Sequence, residues 1–150
     1  MENNMKIEID AKLINVSTIR LAIASFISNL KITLDEIVEI KTALSEAVTN
    51  AIEHGYNNLE ENKKVIVEII TKSFEEETIE IIVQDFGVGI EDISLAMSPE
   101  YTTKPEEEHA GMGFTIMENF MDEVVVDSTF GCGTTIKLYK KIKRKSSVSK

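Results

Sequence analysis

Residues 33–55 spell out a helix whose two ends and two faces are all marked. Thr33 with Glu36 three residues later reads as a capping box, and Gly55 suits a left-handed closing position. Between them Ile37, Ile40, Leu44, Ala47, Val48 and Ala51 recur at helical spacing and form a buried stripe. Glu46, Asn50 and His54 follow one another at i, i+4 and i+8 on the neighbouring strip. One face packs, and the adjacent face presents a carboxylate, an amide and an imidazole. Such a polar strip is by itself an ordinary solvated edge, and it gains meaning only from motifs downstream.

The flanking segments supply the partners for that stripe. Ile7, Ile9 and Ala11 alternate with Lys6, Glu8 and Asp10, which predicts a half-buried strand over 6–12. A first helix follows, capped by Asn15 or Ser17, with Ile19, Ile23, Phe26, Ile27 and Leu30 inward and Arg20 and Ser28 outward. Residues 56–64 are polar and read as a loop. Val65, Val67 and Ile69, then Ile79, Ile81 and Val83, mark two strands joined across the acidic Phe74-Glu75-Glu76-Glu77 turn. The second strand runs directly into Asp85-Phe86-Gly87-Val88-Gly89-Ile90, whose glycines end it. A short helical stretch over 91–97 gives way to an aperiodic segment, 98–110, read as a mobile lid. Gly111-Met112-Gly113 opens a third helix carrying Phe114, Met117, Phe120 and Met121, a stripe of the kind that fills cores. Val124 to Asp127 makes another strand, Gly131-Cys132-Gly133 turns the chain, and 134–139 returns with Ile136 and Leu138 inward. The order β-α-α-β-β-lid-α-β-β predicts an α+β fold, a two-layer sandwich with helices on one face of a mostly antiparallel sheet.

Composition narrows the class further. At 150 residues, with 43% hydrophobic and 28% charged residues, the chain fits one domain over 1–140 with a basic tail over 141–150 expected to be disordered. No apolar run approaches the roughly 18 residues of a membrane span, and nothing at the N terminus resembles a signal peptide. Cys132 is the only cysteine, which excludes an internal disulfide and points to a reducing cytoplasm. The net charge of −10 argues against DNA or RNA as a ligand. From Tyr139 onward there are six basic residues and no acidic ones, so the body carries 10 basic against 26 acidic residues. An acidic body favours a basic protein partner.

Three motifs have chemical content. A carboxylate fixed at a strand end, as Asp85 would be, can accept a hydrogen bond from an exocyclic amino group, and Gly87 and Gly89 beside it would let a flat ring approach the backbone. Gly111-x-Gly113 at a helix start offers N–H groups and a positive dipole end to phosphate oxygens. Neither the Walker pattern nor a complete Gly-x-Gly-x-x-Gly is present, so P-loop and Rossmann readings are poor. Glu46 and Asn50, one turn apart, could serve a nucleophile and a metal at once.

Taken together, Glu46-x-x-x-Asn50, Asp85-x-Gly87-x-Gly89, Gly111-x-Gly113 and Gly133-Thr134-Thr135 stand in the order and spacing of the gyrase, chaperone and histidine-kinase ATPase superfamily. The match narrows with Ser45-Glu46-Ala47-Val48-Thr49-Asn50-Ala51-Ile52, His54-Gly55-Tyr56, Thr102-Thr103-Lys104-Pro105-Glu106 and the run from Gly111 to Met121. Across essentially its whole length the chain resembles the anti-sigma-F factor family of spore-forming bacteria. The resemblance implies a Bergerat-type ATP-binding fold and a homodimeric serine kinase. Such a protein sequesters sigma factor F and phosphorylates the anti-anti-sigma factor, using ATP and Mg²⁺. It implies that Glu46 is the catalytic base, that Asn50 coordinates Mg²⁺, that Asp85 binds the adenine amino group and that Thr134 supports the ring through water. Gly87, Gly89, Thr103, Lys104, His109, Gly111 and Gly113 would line the nucleotide, and Arg20 would contact the protein partners. His109 departs from the family, which carries arginine there, and Lys104 is the other lid cation able to meet the terminal phosphate. His54 reads as structural. The nearest alternatives are an anti-sigma serine kinase of a stress-response pathway and a nucleotide-dependent binding module without kinase activity.

Overall fold

The computed structural model describes residues 1–55, 63–90, 92–97 and 113–142. Its strands are β1 (Glu2–Asp10), β2 (Lys64–Ser73), β3 (Glu77–Asp85), β4 (Glu123–Thr129) and β5 (Gly133–Lys141), and its helices are α1 (Val16–Ile27), α2 (Leu34–Asn50), α3 (Ile93–Ala96) and α4 (Gly113–Phe120). The strands form one sheet in the order β1-β2-β3-β5-β4. Every neighbouring pair is antiparallel, and the β2–β3 and β4–β5 pairs are hairpins as the turns in the sequence require.

Burial alternates residue by residue along β2 and β3, so each strand has one apolar face. Val65, Val67, Ile69, Ile79, Ile81, Val83, Ile136 and Leu138 pack from the sheet against Ile19, Ile23 and Ile27 of α1, Ile40, Leu44, Ala47 and Val48 of α2, and Phe114 and Met117 of α4. The helices thus cover one face in two layers. The capping box of α2 is complete: Glu36 N–H donates to Thr33 Oγ1 at 3.1 Å, and Thr33 N–H donates to Glu36 Oε1 at 3.0 Å. Among the described residues no helix is long and apolar enough to cross a membrane.

Several details differ from the sequence reading. β1 starts at Glu2, because β2 runs to Ser73 and offers pairing partners down to Lys72. The side chain of Asn15 does not cap α1; its amide instead donates to Asp10 O at 3.0 Å, tying the helix start back to the end of β1. Gly55 does not adopt a left-handed conformation. The chain continues from α2 into a π-helical turn, Ala51–Gly55, a widening often found at functional sites. Glu77, read as part of an acidic turn, opens β3 and is buried, and its carboxylate accepts the Lys31 N–H at 3.2 Å. The first two residues of the expected tail are held: Lys141 ends β5, and Ile142 is buried with its N–H on Glu77 O at 2.8 Å. The lid over 98–110 and the remainder of the tail, 143–150, lie outside the described residues.

Candidate functional site

At one end of the sheet the apolar inward stripe gives way to a polar row. Asp85 on β3 pairs with Thr134 on β5, and Thr134 pairs with Ser128 on β4. All three occupy core-facing positions of strands whose inward neighbours are aliphatic, and Asp85 is only 5% exposed. Its Oδ1 accepts the Gly87 N–H at 2.9 Å, and the Thr134 backbone N–H also bonds to the carboxylate. Burial pushes the Asp85 carboxyl above its ordinary value, and these two backbone donors oppose the push without cancelling it.

The space over that carboxylate is kept clear by glycine. A Cβ on Gly55 would stand 2.9 Å from the Asp85 carboxylate atoms, so any side chain there would cover the acceptor. A Cβ on Gly87 would fall 1.8 Å from Gly55 O, where Val88 N–H already donates at 2.7 Å. The π turn that ends α2 and the loop that follows β3 therefore interlock through main chain alone. Gly89 has φ +77°, a left-handed conformation, and a Cβ there would fall 2.4 Å from Thr129 O. A buried acceptor flanked by glycine main chain fits a planar ring carrying an exocyclic amine.

The α2 strip ends beside this row. Glu46 and Asn50 are half-buried, one turn apart, with Asn50 directly preceding the π turn. A Cβ on Gly113 would lie 3.6 Å from Glu46 Oε1, which places the Glu46 carboxylate against the start of α4. Helix N-terminal N–H groups and a carboxylate at one spot can hold anionic oxygens and orient a hydroxyl. Among the described residues no cluster of three His, Cys, Asp or Glu could hold a metal, so a magnesium ion here would rely on an amide oxygen such as that of Asn50 together with phosphate and water. Arg20 sits elsewhere, exposed on α1.

The structure therefore gathers Asp85, Gly87 and Thr134 into one cluster, sets Gly89 in the same loop, and places Glu46 next to Gly113. Thr103, Lys104, His109 and Gly111 lie outside the described residues. Two members of the site escaped sequence reasoning. Gly55 reads as a helix terminator and as part of the family resemblance, with no role at Asp85, and Ser128 lies one residue beyond the strand read over 124–127, whereas β4 runs on to Thr129.

Comparison with known proteins bears on the family. The histidine kinase-like ATPase domain family matches residues 9–140. The anti-sigma F factor of Geobacillus kaustophilus (strain HTA426) is 49% identical over 148 residues, covering 99% of each chain. That of Clostridium novyi (strain NT) is 52% identical over 141 residues, covering 94% of this chain and 96% of the relative. The chain belongs to the anti-sigma F factor family. The Bacillus subtilis (strain 168) anti-sigma F factor, 47% identical over 148 residues and 99% of each chain, agrees. Among solved structures, the RsbU and RsbW domains of a Mycobacterium tuberculosis protein superpose with a TM-score of 0.65 at 20% identity, covering 95% of this chain and 32% of that one. The histidine kinase domain of a blue-light activated histidine kinase from Erythrobacter litoralis gives 0.51 at 20% identity, covering 89% of this chain and 62% of that one. At those identities the likeness concerns the fold, and the anti-sigma F chain has the Bergerat-type ATPase architecture expected of it.

Proposed function

We propose that this anti-sigma factor binds and inhibits sigma factor F and, as an ATP-dependent serine kinase acting in the cytoplasm, phosphorylates the anti-anti-sigma factor that would displace it. The observation that carries the reading is the Glu46 carboxylate standing against the start of α4, one turn before Asn50 on the same helix. Bound Mg-ATP supplies the phosphoryl group and the charge that draws its oxygens together. Asp85 accepts the adenine amino group, with Gly87 and Gly89 giving the ring its backbone walls and Thr134 meeting its edge through water. Asn50 offers its amide oxygen to the metal, and Gly111 and Gly113 turn N–H groups toward phosphate. Thr103, Lys104 and His109 complete the set of residues assigned to the nucleotide.

Glu46 would orient the substrate serine hydroxyl and take its proton as the oxygen bonds to the terminal phosphorus of ATP and the bond from that phosphorus to the bridging oxygen breaks, releasing ADP. Placement on a rigid helix fixes that geometry before substrate arrives. Arg20, exposed on α1, contacts the protein partners. The unit is a single kinase domain over 1–140, working as a homodimer.

The two carboxamide and carboxylate roles separate experimentally. Glu46→Gln keeps shape and hydrogen bonding but removes the base, so phosphorylation falls by roughly 10² to 10⁴-fold while ATP and sigma-factor binding persist. Asn50→Ala instead weakens Mg-ATP binding itself. Single-turnover phosphorylation of the anti-anti-sigma factor, run beside sigma-factor pull-down, reads both; a wild-type rate in Glu46→Gln removes Glu46 as the base.

A further inference from the structure

The basic run that closes the sequence contains one lysine that is not a solvated charge. On β5 the inward positions are Thr134, Ile136, Leu138 and then Lys140, whose strand partner Ile79 is a core residue. Alternation thus turns this ammonium under the helices, and the Lys140 side chain is only 13% exposed. Its Nζ donates to the carbonyl of Phe120, the last residue of α4, at 2.7 Å, and stands 3.4 Å from Oε1 of Glu39 on α2. A cation suits the negative end of a helix dipole, and a carboxylate on the neighbouring helix completes the charge balance. Two further bonds fasten the same end of α4 to β5: Asp122 N–H donates to Tyr139 O at 2.8 Å, and Lys141 N–H donates to Asp122 Oδ2 at 2.8 Å. Neither of those reaches α2.

Spacing gives the contact its meaning. Glu39 precedes Glu46 by seven residues, and Phe120 follows Gly113 by seven. Seven residues are two helical turns, so each pair repeats on one side of its helix, about 10 Å apart. α2 and α4 therefore run antiparallel, bridged at one end by Lys140 and facing each other at the other, where Gly113 meets Glu46. We propose that Lys140 is a positioning residue for phosphoryl transfer: by joining the C-terminal end of α4 to Glu39 it sets how far α4 stands along α2, and so where the start of α4 lies against the Glu46 carboxylate. The proposal rests on the kinase reading given above. A slide of α4 by about 1 Å displaces the phosphate-facing N–H groups against the base, and a misplacement of that size can cost about a hundredfold in rate. The Asp85 end of the sheet is insulated from such a slide, because Thr134, the strand partner of Asp85, stands six residues and about 20 Å from Lys140 along β5.

The test measures, on the full chain, single-turnover phosphorylation of the anti-anti-sigma factor at saturating ATP, beside the dissociation constant of adenosine by titration calorimetry. Lys140→Met keeps the apolar stem and removes the ammonium; it should slow transfer by about tenfold or more while adenosine affinity stays within about twofold. Lys140→Arg supplies donors to both partners and should return the rate to within about threefold of wild type. Glu39→Gln removes only the α2 half of the bridge and should slow transfer by about threefold or more, which keeps the test open should Lys140→Met fold poorly. If Lys140→Met, or Glu39→Gln where only that variant folds, transfers at the wild-type rate, Lys140 is a brace and the proposal is overturned while the kinase reading stands. Loss of adenosine affinity in step with the rate is general loosening and overturns it likewise. Wild type that binds ATP and transfers no phosphoryl group overturns the kinase reading, and the proposal falls with it.

Discussion

Asp85 is a residue that the fold carries at a cost to its own stability. Burial raises its carboxyl above the ordinary 3.8, so the folded chain holds this proton more tightly than the unfolded chain does. The linkage sign follows: stability from this group is fully present below 3.8 and is lost as pH rises through the elevated folded value. Asp85→Asn removes the charge yet keeps one oxygen as acceptor for the Gly87 N–H. Without nucleotide, Asp85→Asn should therefore melt higher than wild type at pH 7, with the difference shrinking as pH is lowered toward 4. The same substitution puts a donor or a mismatched rotamer before the ring, so ATP affinity should fall by roughly ten- to a hundred-fold. Scanning calorimetry over pH 4–8 reads the first effect and titration calorimetry the second. A lower melting temperature for the mutant at pH 7 would show that the two backbone donors outweigh burial.

The π turn and the glycine loop are an element-scale device, and two glycines separate contact from conformation. Gly87→Ala forces its Cβ onto Gly55 O, so it should cost on the order of 1 to 3 kcal/mol and abolish ATP binding by prising the loop from α2. Gly131, φ +87°, meets nothing within 4 Å, so Gly131→Ala should cost about 1 to 2 kcal/mol of backbone strain and leave ATP affinity unchanged. Urea unfolding and nucleotide titration on both variants check the contrast. The same pair explains what a sequence reading reaches. The strands, the three long helices and the capping box are written in local periodicity and end signals, so they were legible. Gly55 owes its identity to a carboxylate thirty residues further on, and no local rule distinguishes that from a helix terminator. Glu77 looked like solvated turn because its partner, the Lys31 N–H, is fixed only once β3 pairs with its neighbours. Ser128 sits in β4 with partners from two other segments, so its shell existed only after the strand order β3-β5-β4 closed.

At the scale of the molecule, charge decides how partners arrive. The net −10 combines a body of 10 basic and 26 acidic residues, at −16, with six basic residues and no acidic ones from Tyr139 onward, at +6. A basic protein partner is steered toward such a surface over a Debye length, so its association rate should drop about tenfold between low and high salt, with dissociation changing less. Stopped-flow association of sigma factor across ionic strength measures this; a flat rate would put recognition in apolar contacts instead. The interlock of Gly55, Gly87 and Val88 carries a consequence of a different kind. Two of the hydrogen bonds that hold Asp85 come from main-chain N–H groups, and the walls around it are main chain as well. Relatives 47–52% identical over most of their length have exchanged about half of their side chains. Drift of that kind leaves a backbone-built recognition site untouched so long as the aspartate and the small residues persist. A site walled in this way is set by the path of the chain, so substitutions on the outer surface leave its shape unchanged.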